Sequence, residues 1–215
     1  MNSLKALIFD FDGLLFDSEP TWDKTYYLFL KNHQVTPNEE VEASMYGSGL
    51  IDAVQLMKDK MGLVGETGDL VADYRRLFYE EFSNKNDVLM PGVLEILGKA
   101  KERGLAVAMT SGGHTKNKLV EILKLHSIYD YFFVIVSSDD VSQGKPAPDV
   151  YLEALKELKL NAEDCLAFED SPNGVMAAQA AGICVYGINA DEKTRNDLIK
   201  VGAEKVFKNL IEIEL

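Results

Sequence analysis

A short apolar run near the start of the chain, Leu7 to Phe9, ends abruptly in two acidic residues, Asp10 and Asp12. An apolar segment without polar alternation is typical of a strand that is buried on both faces of a parallel sheet. Gly13 then interrupts the strand pattern. Because side chains alternate along a strand, Asp10 and Asp12 should point the same way and converge on one bound group.

This acidic pair is a candidate catalytic centre, because ligands of open α/β sheets collect at the carboxyl ends of the strands. Two acids held together can bind a metal ion, or one can act as a nucleophile beside an acid/base. An isolated Asp-x-Asp pair is more often a solvated turn, since Asp is a common turn residue. Three later segments of the chain also carry candidate site residues, and together they favour a catalytic centre over a solvated turn.

The net charge and the hydropathy pattern of the chain exclude some classes of function. The 215 residues carry a formal net charge of -13, so the phosphate backbone of a nucleic acid would be repelled, and we expect no nucleic-acid partner. No apolar stretch approaches the roughly 20 residues that span a bilayer, and the N-terminus lacks the layout of a signal peptide. We therefore expect a cytoplasmic protein without a membrane partner, and a monomer, since nothing in the sequence indicates a partner protein.

Two kinds of periodicity divide the chain. After the first strand, apolar residues recur at spacings of three and four up to about residue 86, which predicts amphipathic helices. From Pro91 onward, strand and helix patterns alternate, which predicts a parallel sheet with helices on both faces. The predicted fold class is α/β, with a doubly wound catalytic core of residues 1–17 and 87–215 and an α-helical cap domain of residues 18–86.

Two of the later segments place polar groups where a phosphate could bind. The strand-like segment AVAMT ends in Ser111, Gly112 and Gly113. They offer a hydroxyl and exposed amides to an oxyanion, although Ser and Gly are also ordinary turn residues. Lys145 lies in the sequence QGKPAPD, whose two prolines restrict the backbone and hold the lysine at a defined place.

A second acidic pair, Glu169 and Asp170, follows the apolar segment CLAF. Two more carboxylates beside Asp10 would repel one another in a partly buried cleft unless a cation neutralised them. Hard oxygen ligands without Cys or His indicate Mg²⁺. Together, the four segments supply a carboxylate nucleophile, a second acid, an oxyanion cradle, a fixed cation and a magnesium site, which phosphoryl transfer requires.

The four segments DFDGLL, TSGG, GKPAPD and FEDSPNG resemble, in order, the motifs of the haloacid dehalogenase superfamily. The resemblance spans essentially the whole chain and is to the branch with a helical cap that contains β-phosphoglucomutase and sugar-phosphate phosphatases. It implies a Rossmann-like core, a mobile cap, Mg²⁺ as the cofactor and catalysis through an aspartyl-phosphate.

The resemblance also implies roles for individual residues. Asp10 resembles the nucleophile, and Asp12 resembles the acid/base that protonates the leaving oxygen and then activates water. Ser111 and Gly112 resemble the phosphate-binding turn, and Lys145 the cation that joins the nucleophile to the phosphate. The implied metal ligands are Asp10, Asp12 through its backbone carbonyl, Glu169 and Asp170.

Within this branch, the residues favour hydrolysis. The predicted function is a Mg²⁺-dependent phosphatase for a small phosphorylated metabolite, namely a sugar, polyol or nucleoside monophosphate. The alternative is a phosphosugar mutase of the β-phosphoglucomutase type, whose bisphosphate intermediate needs a second anion site. The cap loop MYGSGLID contains no arginine for such a site, and Trp22 stands where those mutases have a histidine. Asp12 argues against a dehalogenase, because dehalogenases lack the second aspartate.

The substrate is expected to lie between the core and the cap. The predicted substrate contacts are Trp22, Tyr46, Gly47, His114 and Asn117. A signalling receiver domain is a hypothesis from another class, since receivers also combine a phospho-accepting aspartate with a hydroxyl and a lysine. Receivers carry the acceptor on a later strand and need no helical insert, so the position of Asp10 and the predicted cap argue against this class.

Overall fold

The computed structural model describes residues 4–82 and 89–215. A parallel six-stranded sheet lies at its centre. Its strands are β1 (Ala6–Asp10), β2 (Ala106–Ser111), β3 (Val134–Ser137), β4 (Cys165–Glu169), β5 (Cys184–Ile188) and β6 (Lys205–Phe207). The strand order is β3-β2-β1-β4-β5-β6, and every neighbouring pair is parallel. This sheet, with its surrounding helices, confirms the predicted α/β fold class.

Helices occupy most of the remaining described residues. Those between β1 and β2 are α1 (Glu19–Asn32), α2 (Glu39–Met45), α3 (Leu50–Met61), α4 (Thr67–Phe82) and α5 (Val93–Glu102). Those that follow β2 are α6 (Lys116–Leu125), α7 (Asp149–Leu158), α8 (Pro172–Ala180) and α9 (Glu192–Lys200). In the described residues, no helix combines the length and the apolar character that crossing a bilayer would require.

Strand β1 is buried on both faces, as its apolar sequence predicts. Leu7 and Phe9 pack into an apolar cluster that contains residues of α5 and α6, whereas Ala6 and Ile8 pack into another that contains residues of α7 and α8. All four side chains are completely buried. Burial on this scale contributes roughly 1.5–3 kcal/mol for each large apolar side chain, so the strand is firmly held up to Asp10.

Helices α1 to α4 pack around an apolar cluster of their own. Its fully buried members include Phe29, Leu30, Val54 and Met57. Phe78, one turn after Tyr74 in α4, joins the cluster of the core instead. We call α1 to α4 the cap. The predicted end of the cap domain at residue 86, and the start of the second core segment at residue 87, lie outside the described residues.

Candidate active site

Three neighbouring strands end side by side at the candidate site. The register pairs Asp10 of β1 with Thr110 of β2, and Phe9 with Phe168 of β4. Asp10, Ser111 and Glu169 therefore leave the sheet at the same edge. The side chains of all three are buried. The structure thus brings together the polar ends of the apolar segments that the sequence singled out.

Lys145 reaches this edge from the loop that precedes α7. Its ammonium group donates to the carboxylate of Asp10 and, at 2.6 Å, to Oε1 of Glu169. The Tyr151 hydroxyl donates to the same Glu169 oxygen. Burial alone would lower the pKa of Lys145, but the carboxylates of Asp10 and Glu169 outweigh it and hold the pKa well above its usual value. The lysine is therefore a fixed positive charge beside Asp10.

A group of three buried acids could hold a metal ion. One carboxylate oxygen from each of Asp10, Glu169 and Asp170 lies within 4.8 Å of the others. Burial, together with the charges of Glu169 and Asp12, raises the pKa of Asp10 to about 8, although Lys145 opposes this shift. Burial and the nearby acids Glu19 and Asp10 also raise the pKa of Asp170. Such a set of hard oxygen donors fits Mg²⁺, whose charge would offset their repulsion.

The carboxylate of Asp12 lies outside this acidic group. Its Oδ1 accepts hydrogen bonds from Ser18 Oγ at 2.7 Å, Trp22 Nε1 at 2.7 Å and His114 Nε2 at 3.1 Å. Its Oδ2 faces Ser111 Oγ at 3.5 Å. Burial alone would raise the pKa of Asp12, but the His114 imidazole and the three donors to Oδ1 hold it below its usual value. Because the carboxylate of Asp12 is engaged in these hydrogen bonds, its backbone carbonyl is the group of this residue that the sequence analysis expects to bind the metal ion.

A cavity of about 170 Å³ opens between this edge of the sheet and the cap. Its lining includes the predicted residues Asp10, Asp12, Trp22, Tyr46, Gly47, Gly112, Lys145 and Asp170. Ser111 and Glu169 lie directly behind this surface, where they contact Asp12 and Lys145 respectively. The candidate nucleophile, acid/base and lysine therefore face one space.

Two predicted substrate contacts lie elsewhere. His114 does not line the cavity, because its ring is completely buried and bonds to Asp12 and Tyr79. Asn117 is exposed in the first turn of α6, outside the cavity lining. The turn after β2 is short, so the His114 ring is buried against Asp12. The first turn of α6 then places Asn117 at the solvent-exposed surface.

The loop after α2 lies directly on the core. The Tyr46 hydroxyl donates to Oδ2 of Asp170 at 2.8 Å, and the Tyr46 carbonyl accepts from Asn173 Nδ2 at 2.8 Å. Gly47 has a φ of +72°, and a Cβ at this position would overlap the Ser171 hydroxyl, so the close approach requires glycine. Tyr46 is therefore held at the acidic group rather than standing free for a substrate.

Several lining residues were not predicted from the sequence. In α1, Glu19 and Asp23 line the cavity beside Trp22 and Tyr26. Positions 19, 22, 23 and 26 recur at helical spacing and share one face, which is the signal that could have identified them. Burial, followed by the charges of Asp12 and Asp23, raises the pKa of Glu19 to about 8. The remaining unpredicted cap residues of the lining are Glu42, Met45, Ala53, Met57 and Tyr74.

Acidic side chains outnumber basic ones in the cavity lining. Six carboxyl groups line it, from Asp10, Asp12, Glu19, Asp23, Glu42 and Asp170. Within the part of the chain that the structure describes, Lys145 is the one basic side chain in the lining. Among the described residues, the cap side of the lining thus contributes carboxyl groups, aromatic rings and methionines, but no cation to bind an anionic group.

Comparison with known proteins agrees with this geometry. A family model described as haloacid dehalogenase-like hydrolase matches residues 4–182. The chain is 28% identical, over 209 residues, to the phosphorylated carbohydrates phosphatase of Thermotoga maritima, a match that covers 95% of this chain and 94% of that protein. It is 30% identical, over 211 residues, to hexitol phosphatase B of Escherichia coli, which covers 97% and 93% of the two chains.

A solved structure of β-phosphoglucomutase from Clostridium difficile matches with a TM-score of 0.83 and 18% identity, over 99% of this chain and 94% of that chain. At this identity the likeness shows the fold alone. The family model, in contrast, spans most of the sequence, including all four motifs. The chain belongs to the haloacid dehalogenase-like hydrolases.

Proposed function

We propose that this hydrolase is a Mg²⁺-dependent phosphatase, which cleaves a small phosphomonoester through an aspartyl-phosphate on Asp10. One observation carries the proposal: Asp10 faces the cavity while bonded to Lys145 and grouped with Glu169 and Asp170. A carboxylate in this setting has a neighbouring cation to attract a phosphate dianion and a site for a metal ion.

Asp10, Glu169 and Asp170 would hold the metal ion through their side chains, and Asp12 through its carbonyl. When bound, Mg²⁺ supplies positive charge that stabilises the phosphoryl oxygens and keeps Asp10 ionised. Lys145 adds a fixed positive charge on the side of Glu169. The Ser111–Gly112 turn lies on the opposite side of β1, where its hydroxyl and amides would orient the phosphate.

The first chemical step forms the covalent intermediate. A carboxylate oxygen of Asp10 attacks phosphorus, and the bond from phosphorus to the bridging oxygen breaks. Asp12, two residues further along the same strand end, takes up a proton when the phosphate dianion enters, because the added negative charge raises its pKa, and gives this proton to the leaving alkoxide. The products of this step are the alcohol and a phosphorylated Asp10.

The second step returns the enzyme to its starting state. Asp12, now ionised, takes a proton from a water molecule whose oxygen attacks phosphorus. The bond between phosphorus and the Asp10 oxygen breaks, which releases inorganic phosphate and regenerates both carboxyl groups. The hydrogen bonds to Oδ1 of Asp12 hold this carboxylate beside the cavity during both steps.

We infer that the substrate is a sugar, polyol or nucleoside monophosphate. The relatives named for phosphorylated carbohydrates and hexitols support this class. The cavity supports it as well, because aromatic rings such as Trp22 and Tyr26 can pack against a sugar or a base. Carboxylates such as Asp23 and Glu42 can accept hydrogen bonds from hydroxyl groups.

The charge of the cap argues against the mutase alternative. A bisphosphate intermediate would place its second phosphate against Glu19, Asp23 and Glu42, with no lysine or arginine among the described lining residues on that side. The nearest arginine of α4, Arg75, is bonded to Asp139 and to the Gly113 carbonyl instead. Hydrolysis needs no second anion site and is therefore the reaction we propose.

A phosphate-release assay tests the proposal. Purified protein is incubated with a panel of phosphorylated sugars, polyols and nucleosides, with Mg²⁺ or with a chelator. Asp10→Asn is the test variant, and Asp130→Asn, at an exposed acid remote from the cavity, is its matched control. We expect Mg²⁺-dependent release that only the Asp10 variant abolishes.

The same assay separates the alternatives. Conversion of β-glucose 1-phosphate to glucose 6-phosphate without net phosphate release would replace the phosphatase by a mutase. A receiver would retain its phosphoryl group rather than turn over. The expectations of a cytoplasmic location and a monomeric state are part of the proposal, and cell fractionation and size-exclusion chromatography test them.

A further inference from the structure

We propose that His114 is a positioning residue, which holds one carboxylate oxygen of Asp12 so that the other oxygen carries the catalytic proton. The inference rests on the proposed function, because it concerns how Asp12 performs its part of the reaction. It assigns a role to a buried histidine that lies outside the cavity lining.

The two oxygens of Asp12 have different environments. Oδ1 accepts from three donors, namely Ser18, Trp22 and His114, at 2.7 to 3.1 Å. A carboxylate oxygen has two lone pairs, so three donors leave Oδ1 no capacity to take up a proton. Oδ2 has only the Ser111 hydroxyl, at the 3.5 Å limit of a hydrogen bond. Oδ2 is therefore the oxygen that can gain and lose a proton.

Tyr79 gives the imidazole of His114 a defined orientation. The Tyr79 hydroxyl lies 3.1 Å from Nδ1 of His114 and can donate to it. With Nδ1 accepting, the proton of a neutral imidazole lies on Nε2, the nitrogen that faces Asp12. The two contacts form a chain from the cap residue Tyr79 through His114 to Asp12.

Packing prevents the imidazole from turning away. The ring is completely buried. The Phe11 ring meets it edge-on, with centroids 5.0 Å apart and an interplanar angle of 80°, and the Phe78 ring lies at the same distance. Rotating the ring would also break both of its hydrogen bonds. His114 is therefore a rigid donor.

His114 differs from the other two donors in where it is anchored. Ser18 and Trp22 belong to the segment that leads into the cap and to α1. His114 follows β2 and so belongs to the core. Because its own partner Tyr79 belongs to α4, His114 links Asp12 of the core to the cap.

The leaving group offers a direct readout of this role. An alkyl phosphate must receive the Oδ2 proton as its P–O bond breaks, because an alkoxide is a poor leaving group. p-Nitrophenyl phosphate releases a stabilised phenolate and needs little protonation. Misplacing Asp12 should therefore slow the first step, which kcat/KM reports, much more for the alkyl phosphate than for the aryl phosphate. A general loss of structure would slow both equally.

The experiment compares His114→Met, His114→Gln and Tyr79→Phe with the parent protein on both substrates. The alkyl substrate is the best alkyl phosphomonoester of the panel described above. For His114→Met, we expect kcat/KM on the alkyl phosphate to fall about 100-fold, and kcat/KM on p-nitrophenyl phosphate to fall less than about tenfold. His114→Gln, which retains an N–H group near the Nε2 position, should recover part of the loss. Tyr79→Phe should show a smaller loss with the same substrate dependence.

Each outcome bears on the proposal. An equal loss on both substrates, or no loss, would overturn the role of His114 and leave the phosphatase proposal intact. If His114→Met does not fold, as judged by circular dichroism and the thermal midpoint, His114→Gln and Tyr79→Phe decide by the same ratio of rates. If the parent protein hydrolyses neither substrate, the proposed function fails, and this inference fails with it.

Discussion

Arg75 of α4 and Asp139, just after β3, form a two-bonded ion pair that joins the cap to the core. The Nη1–Oδ2 and Nη2–Oδ1 distances are 2.8 and 2.7 Å. Nε of the same arginine donates to the Gly113 carbonyl at 3.0 Å. The guanidinium is largely shielded from solvent, with 13% of its side chain exposed, and its planar shape matches the carboxylate. Arg75 therefore joins the cap to the segment after β3 through Asp139, and to the turn after β2 through Gly113.

Breaking this ion pair should weaken substrate binding more than it slows the chemical step. We expect Arg75→Met to raise KM with a smaller effect on kcat, because the cap loses its connection to the turn at Gly113. In a double-mutant cycle with Asp139→Asn, the coupling in the free energy of unfolding should be about 1 kcal/mol. Arg76→Met is the matched control, since Arg76 pairs only within α4 and is exposed. Identical kinetics for the two arginine variants would contradict this account.

Replacing Lys145 should remove most of the activity. Lys145→Met deletes the cation shared by Asp10 and Glu169 and leaves both buried acids without it. We expect kcat to fall about 100-fold or more, since removing one charged stabilising group from a phosphoryl-transfer site has this order of effect. Lys159→Met, at the exposed end of α7, should behave like the parent protein. Steady-state kinetics on one substrate decide the matter, and retained activity in Lys145→Met would exclude the proposed role.

Tyr151 should matter through Glu169 rather than through the substrate. Tyr151→Phe removes the buried hydroxyl that donates to Oε1 of Glu169. Because the acceptor is charged and buried, we expect the free energy of unfolding to fall by roughly 1.5–3 kcal/mol. Urea denaturation measures this change, with the partly exposed Tyr129→Phe as a control. A loss no larger than that of the control would show that the hydrogen bond contributes little.

Without a metal ion, the stability of the protein should fall as pH rises. The pKa of Asp10 is raised from 3.8 to about 8 in the folded protein. Between about pH 4 and pH 8, the native state therefore binds more protons than the unfolded state, so the free energy of unfolding decreases with pH. Bound Mg²⁺ favours the ionised acids.

The corresponding measurement is the thermal midpoint with Mg²⁺ and with a chelator at both ends of this range. We expect Mg²⁺ to raise the midpoint more near pH 8 than near pH 5. The comparison uses Asp10→Asn as its control, because this variant lacks one of the three acids. An equal shift at both pH values would contradict the assignment of these acids to a metal site.

The core of the site could be predicted from sequence because it is encoded locally. Asp10, Ser111 and Glu169 each follow an apolar run, and parallel strands must end at one edge of the sheet. The apolar spacing also predicts the helices of the cap, and the segment Cys184–Ile188 predicts a strand that the structure confirms as β5. Helix α9 was not predicted, because its sequence EKTRNDLIK is mostly polar and only Leu198 is buried. Such a helix has no apolar stripe to detect.

The cap side of the site could not be predicted to the same depth. Its residues meet the core only through the packing of separate helices, as when Tyr46 contacts Asp170, which lies 124 positions away. His114 was expected in the substrate site because it follows the phosphate-binding turn. Sequence does not reveal that the chain buries this ring below Asp12. Its true neighbours, Tyr79 and Trp22, come from two different cap helices.

Detection of a phosphoryl group on Asp10 tests the central claim most directly. The Asp12→Asn variant should accumulate the intermediate, because it lacks the base that activates water for the second step. The variant is mixed with Mg²⁺ and p-nitrophenyl phosphate, quenched in acid and digested for peptide mass spectrometry. Our account predicts one phosphoryl group on Asp10. The double variant that carries both Asp12→Asn and Asp10→Asn should lack it. The contradicting result is that the parent protein hydrolyses this substrate, but Asp10 of the Asp12→Asn variant carries no phosphoryl group at any quench time.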